Sequence, residues 1–246
     1  MARSKDILFV GDPHAHPSYS NSRFTLLGKY IRKHRPAIVV CAGDWGDMPS
    51  ICAQASKQEL RGKTIRRDLD AANEALDMVT HETKGIRGIE DWWMLGGNHE
   101  IRVQKEIDDN PKLEGLLSMD DFQFRENRWK TVPFQTTHVV QGFAFSHYFP
   151  SGNLGKAIGG VNIGRTMVLK NHESGVQGHN HTLDFSRTVT PSGRVVNCMT
   201  GGCYASPKMK EAWNLNTEHF WWRGVVWLRN ARAGDASISM VRMGDM

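Results

Sequence analysis

The first hundred residues alternate between short apolar runs and longer stretches with helical spacing. Residues 7–10 and 37–42 are β-rich runs that each end at a Gly-Asp pair, and residues 91–95 form a third that enters Gly96-Gly97-Asn98. Between the first two, Phe24, Leu27 and Ile31 share one face of a helix that Asn21 or Ser22 can cap. It ends near His34, and Pro36 bars its continuation. Ile65, Leu69, Ala72, Leu76 and Val79 repeat at helical spacing across residues 64–82, opposite a charged face. Strand, helix, strand, helix, strand predicts a parallel sheet with right-handed crossovers.

The second half reads as hairpins. Residues 137–140 and 142–147 alternate around Gln141-Gly142, and residues 187–190 and 194–198 flank Pro191-Ser192-Gly193. A third pair, 224–229 and 237–242, flanks Ala233-Gly234-Asp235. The expected fold is α/β, with two packed mixed sheets flanked by helices in a single domain over residues 1–246. Residues 101–136 are polar and carry no metal-type motif. They leave directly from Asn98-His99-Glu100, so they are expected as an excursion beside the active site.

Composition narrows the class. The chain has 246 residues, 39% hydrophobic and 23% charged, as in a soluble globular domain. No stretch of about 18 apolar residues exists to cross a membrane as a helix. The first residues lack the apolar segment of an export signal, so the expected compartment is the cytoplasm (the host's, for a viral chain). Cys41, Cys52, Cys198 and Cys203 show no CxxC spacing and are expected as reduced thiols. The net charge of +5 suits an anionic substrate without singling out nucleic acid.

Five short segments carry the chemistry, each after an apolar run: Gly11-Asp12-Pro13-His14, Gly43-Asp44-Trp45-Gly46-Asp47, Gly97-Asn98-His99-Glu100, Ser146-His147 and Gly178-His179-Asn180-His181. Open α/β sheets place ligand sites where loops leave the carboxyl ends of strands, and Asp12, Asp44 and Asn98 each sit there. Carboxylate, amide oxygen and imidazole without thiolate suit Mn²⁺, Fe or Zn²⁺. Two such ions about 3.5–4 Å apart would clamp a phosphate and activate water for attack on it.

As a set, the five segments resemble those of the calcineurin-like metallophosphoesterase superfamily, whose members include Ser/Thr phosphatases, nucleotide phosphodiesterases and Mre11-type nucleases. The resemblance implies a four-layer α/β/β/α sandwich, in agreement with the periodicity. It places a first divalent ion on Asp12, His14, Asp44 and His181, and a second on Asp44, Asn98, His147 and His179. Mn²⁺ is the expected metal, with Fe, Zn, Ni or Mg as alternatives. His99 would serve the leaving oxygen, and Asp47 would hold the His99 ring. The Ser/Thr phosphatases have Arg after the second Asp and Gly after the lone His; this chain has Met48 and Tyr148. That departure favours a phosphodiester substrate, nucleotide or nucleic acid, over a phosphomonoester or a phosphoprotein. A non-catalytic binding domain is the remaining reading, and intact donors at every position count against it. The chain is also similar in size to small bacterial and bacteriophage members.

Other positions are weighed against plainer roles. Trp45, Lys156 and Arg165 are candidate substrate contacts, against packing for Trp45 and a solvated helix face for the two cations. His16 is read as a donor behind the ligands or simply exposed, His172 as non-catalytic, and Glu100 as a local structural contact. Arg61, Lys63, Arg66 and Arg67, with Arg125, Arg128 and Lys130, could track a nucleic acid backbone, but Glu59, Asp68 and Asp70 interrupt them. Trp92-Trp93 and Phe220-Trp221-Trp222 are read as packing aromatics.

Overall fold

Strand alternation sorts the core into layers. In the computed structural model, which describes residues 3–210 and 217–246, strand β1 (Lys5–Val10) turns Leu8 and Val10 to one face and Ile7 and Phe9 to the other. Four parallel strands, β1, β2 (Ile38–Cys41), β3 (Asp91–Leu95) and β4 (Lys130–Val132), form the centre of the first sheet. Strand β10 (Gly224–Arg232) joins β1 antiparallel, and β11 (Asp235–Arg242) extends that edge, giving the order β11-β10-β1-β2-β3-β4. The second sheet has the order β5-β6-β7-β9-β8, from β5 (His138–Val140), β6 (Phe143–Ser146), β7 (Gly175–Gln177), β9 (Val195–Gly201) and β8 (Leu183–Val189). There β6, β7 and β9 run parallel, and β5 and β8 close the edges as hairpin partners.

Helices α1 (Ser22–His34) and α3 (Ile65–Thr83) cover the outer face of the first sheet through Phe24, Leu27, Leu69 and Leu76. The inner faces meet over Ile7, Phe9 and Val40 on one side and Phe145, Val176 and Met199 on the other. Helix α5 (Ile163–Asn171) seals the outer face of the second sheet with Ile163 and Met167. The result is the expected α/β/β/α sandwich.

Local expectations hold with adjusted ends. The helix expected over residues 64–82 is α3, whose N-cap Thr64 accepts from the Arg67 amide. Helix α1 ends on Arg35 in the left-handed region, just before Pro36. Asn21 precedes it without a side-chain cap, and its Nδ2 instead ties α1 to α3 by donating to the Ala71 carbonyl and Glu74. All three hairpins form, with β8, β9 and β10 longer than the patterns suggest. The 101–136 segment holds α4 (Ile101–Asp109) and β4, and it buries Phe122, Phe124 and Trp129 against the first layer. The short α2 (Lys57–Leu60) has a capping box from Ser56 and Glu59. All four cysteines are free and buried. Among the described residues no helix is long and apolar enough to cross a membrane.

Candidate functional site

Every segment singled out in the sequence leaves the carboxyl end of a parallel strand. Asp12 and His14 follow β1, Asp44 and Asp47 follow β2, Asn98 and His99 follow β3, His147 follows β6 and His179 and His181 follow β7. The loops after β1 and β2 pair with each other: the His14 amide donates to the Asp44 carbonyl (2.9 Å) and the Asp47 amide to the Ala15 carbonyl (2.9 Å). Buried Glu100 ties the β2 loop to the β3 loop, accepting from the amides of Asp44 (2.9 Å), Gly46 (3.2 Å) and Gly97 (3.0 Å). Arg23, buried on α1, donates to the carbonyls of Pro13 (2.8 Å) and His14 (2.9 Å) from beneath. Glu100 thus has the structural role expected of it.

The backbone is unusual where the donors sit. His14 (φ 47), Asp44 (φ 48), His179 (φ 65) and His181 (φ 58) all lie in the left-handed region, which side chains with a Cβ enter at a cost of about 1–2 kcal/mol. Gly43 at φ 94 leads into Asp44, and a Cβ on it would fall 2.6 Å from the Leu95 carbonyl oxygen. A Cβ on Gly178 would fall 2.6 Å from Asp12 Oδ1.

Side chains converge in two groups around Asp44. On one side His14 Nε2 stands 3.0 Å from His181 Nε2, which is 3.7 Å from Asp12 Oδ2. On the other, Asn98 Oδ1 lies 2.8 Å from both His147 Nε2 and His179 Nδ1, and His147 Nε2 is 3.4 Å from Asp44 Oδ2. The tautomers follow from the partners. His14 Nδ1 donates to the Asp47 carboxylate (2.8 Å) and His147 Nδ1 to the Ala42 carbonyl (2.9 Å), so both Nε2 atoms carry lone pairs. The His147 lone pair then faces the Asn98 oxygen at 2.8 Å, two acceptors with no proton between them. Asp12 Oδ1 is buried without a hydrogen-bond partner among the described residues. Inward lone pairs and an unpartnered carboxylate oxygen fit a cation on each side of Asp44. A further close trio, His14, Asp47 and His99, is differently built, since its His14 Nδ1 is already committed to Asp47.

The electrostatics agree. Burial lowers the pKa of His99 and His179 to about 4 and that of His181 well below the usual value, so these rings are neutral. Burial, then the charge of Asp44, pushes the Asp12 carboxyl up. Asp44 itself is held low, against burial, by the neighbouring imidazoles and the His99 amide, which donates to Oδ1 (2.8 Å). Buried Asp44, ionised near the His99, His179 and His181 rings, leaves negative charge for a cation to balance.

A sequence profile of the calcineurin-like phosphoesterases matches residues 5–189, most of the chain. This chain belongs to that family. No curated protein matches it. Membership makes it a metal-dependent hydrolase of phosphate esters, and Asp44, His147 and His179 form one group that could hold an ion.

Beside those donors this phosphoesterase has a cavity of about 190 Å³, lined by Asp44, Gln54, Asn98, His99, Arg102, His179 and His181. Arg102 was not foreseen. Its Nη2 donates to His99 Nε2 (3.0 Å) and its Nη1 to the Asp47 carbonyl (3.2 Å). Asp47 and His99 do meet. The Asp47 backbone carbonyl, 2.5 Å away, receives His99 Nδ1, and the Asp47 carboxylate, which accepts from His14, stands 3.5 Å from the same nitrogen. His16 is buried rather than exposed, 3.8 Å from Asp47 Oδ2, and stands behind the ligands.

Of the three proposed substrate contacts, Trp45 and Arg165 lie elsewhere. Trp45 is fully buried, donating to the Ala72 carbonyl (3.0 Å) between Phe24 and Trp129. The β2 loop turns Asp44 and Asp47 to the site, and Trp45 between them goes to the core. Lys156 is exposed in the loop after β6, and Arg165 is exposed on α5, which covers the outer side of the second sheet. His172 caps α5 away from the donors. Trp221 instead meets His181 edge-on at 4.2 Å, while Trp92 packs in the core.

Proposed function

We propose that this phosphoesterase hydrolyses phosphodiesters of nucleotide or nucleic acid type with two divalent ions, manganese foremost. Asp12, His14, Asp44 and His181 hold one ion, and Asp44, Asn98, His147 and His179 hold the other. The reading is carried by the two groups of inward-facing lone pairs that share Asp44. Once bound, the ions would polarise the phosphate and supply a nucleophilic water at neutral pH.

The protein's own part is to place charges and donors. Glu100 and Arg23 fix the loops so that the donor set is held before substrate arrives. Asp47 fixes the His14 ring with Nε2 inward, as carboxylates behind ligating histidines do. On the open side, His99 carries its hydrogen on Nδ1, toward the Asp47 carbonyl, so its Nε2 is an acceptor that anchors Arg102. The positive donor available to a phosphate or leaving oxygen is therefore the Arg102 guanidinium, and His99 positions it.

Among the described residues a single guanidinium lines the cavity, which suits the single charge of a diester better than the two of a monoester. Where the Ser/Thr phosphatases carry Arg, Met48 is wholly buried in the core. The test is turnover of bis-p-nitrophenyl phosphate against p-nitrophenyl phosphate after chelation and reloading with Mn²⁺. Faster turnover of the diester is expected. A faster monoester would overturn the substrate class, and no turnover of either with any metal would overturn the hydrolytic reading.

A further inference from the structure

The small cavity beside the donors does not end there. It opens into a groove of about 760 Å³ between the 50–65 segment and α4, and the two share Gln54, Asn98 and Arg102. The inner cavity is below the usual range for organic ligands, about 300–1,000 Å³, whereas the groove falls within it. A phosphoryl group fits the first, and the rest of a substrate has to lie in the second.

The groove has a charged wall and an apolar one. Arg102 and Lys105 are three residues apart on α4 and so are neighbours on one face, about 5–6 Å apart at Cβ. Lys63 lines the groove as well. Neither lysine forms an ion pair with a described residue, unlike Arg66, which pairs with Asp70, and Lys130, which pairs with Asp91. Ile51, Leu60 and Ile65 supply the apolar surface. Glu106 and Asp109 also line the groove, on the last turns of α4, so the cationic track is short and lies toward the donors.

Resting on the phosphodiester reading above, we propose that this groove seats a single strand of nucleic acid beyond the scissile phosphate. Arg102, Lys105 and Lys63 would meet successive backbone phosphates, and the apolar wall would meet sugar and base. Among the described residues no aromatic side chain lines the groove, so recognition is by charge and shape, with little base preference.

Binding of a fluorescein-labelled oligothymidylate, followed by anisotropy in EDTA to stop cleavage, tests this. Lys63→Ala with Lys105→Ala should raise Kd roughly tenfold and lower the slope of log K against log salt by about 1.4, two contacts at about 0.7 each. Arg187→Ala, exposed on β8 of the other sheet, removes a similar charge and should change neither. Thermal melts of each variant show that it is folded. Equal losses in the Arg187 variant, an unchanged salt slope in the double variant, or tighter binding of a phosphoserine peptide than of the oligonucleotide would each overturn the groove assignment. Hydrolysis of bis-p-nitrophenyl phosphate by the unaltered protein is decided separately, so the groove can fail while the phosphodiesterase reading stands.

Discussion

At the scale of single residues, Asp44 and Asp47 look alike in the sequence and do different things. Asp44 stands between both donor groups, so Asp44→Asn should drop metal content from two ions toward none, read by elemental analysis of the purified protein; two ions retained would rule out a shared carboxylate. Asp47 touches His14 and so acts on one group only. Asp47→Asn should weaken one ion by about 10–100-fold, the usual worth of a carboxylate behind a ligating histidine, and leave the other in place. Arg102 and His99 form one unit on the open side. Arg102→Ala should cost roughly 10²–10³ in kcat/KM with metal content unchanged, in the range of a lost transition-state donor. His99→Asn should cost a large part of the same amount, and the two losses should not add, because His99 works by anchoring the guanidinium. Fully additive losses would restore an independent role for the imidazole.

Among the elements, the loops after β2 and β3 are held together by the Glu100 carboxylate. Glu100→Ala strands three buried amides and should destabilise the fold by about 2–4 kcal/mol in urea unfolding. Glu100→Gln should cost less, since its oxygen can still accept from Asp44 and Gly97. Burial and the charge of Asp44 raise Glu100 to about 7, above its range in the unfolded chain. The folded protein therefore binds this proton more tightly, and metal-free stability should fall as pH rises from the ordinary carboxyl range toward about 7. Glu100→Gln should remove that slope; an unchanged slope would assign it to another group. Much at this scale was readable in advance. The central strands, α1, α3 and the three hairpins carry their own periodicity and turn residues, and the five motif segments mark strand ends. Helix α4 was not read, being only nine residues within a polar stretch, and α5, also nine residues, was read only as a helix face carrying Arg165. Arg102 was missed for the same reason, since it reaches the site only because α4 begins beside His99. Arg23 had no signal at all, as an arginine in an amphipathic helix reads as solvated. Trp45 lies within a motif, yet its direction depends on how two loops pair.

For the whole molecule, the donors come from the first sheet through Asp12, Asp44 and Asn98 and from the second through His147 and His179. Bound ions would therefore bridge the two layers. Chelation should lower the thermal midpoint as well as abolish activity, and Mn²⁺ at a hundred times its Kd should return about 2.7 kcal/mol per site. A midpoint indifferent to metal would mean that the ions do not cross-link the layers. The left-handed backbone at His14, Asp44, His179 and His181 sets stability and activity against each other. Glycine at any of these places would relieve local strain and remove a donor in the same step. A library of variants selected only for heat resistance in a chelator should thus collect glycine at these positions, and its most durable members would be dead enzymes.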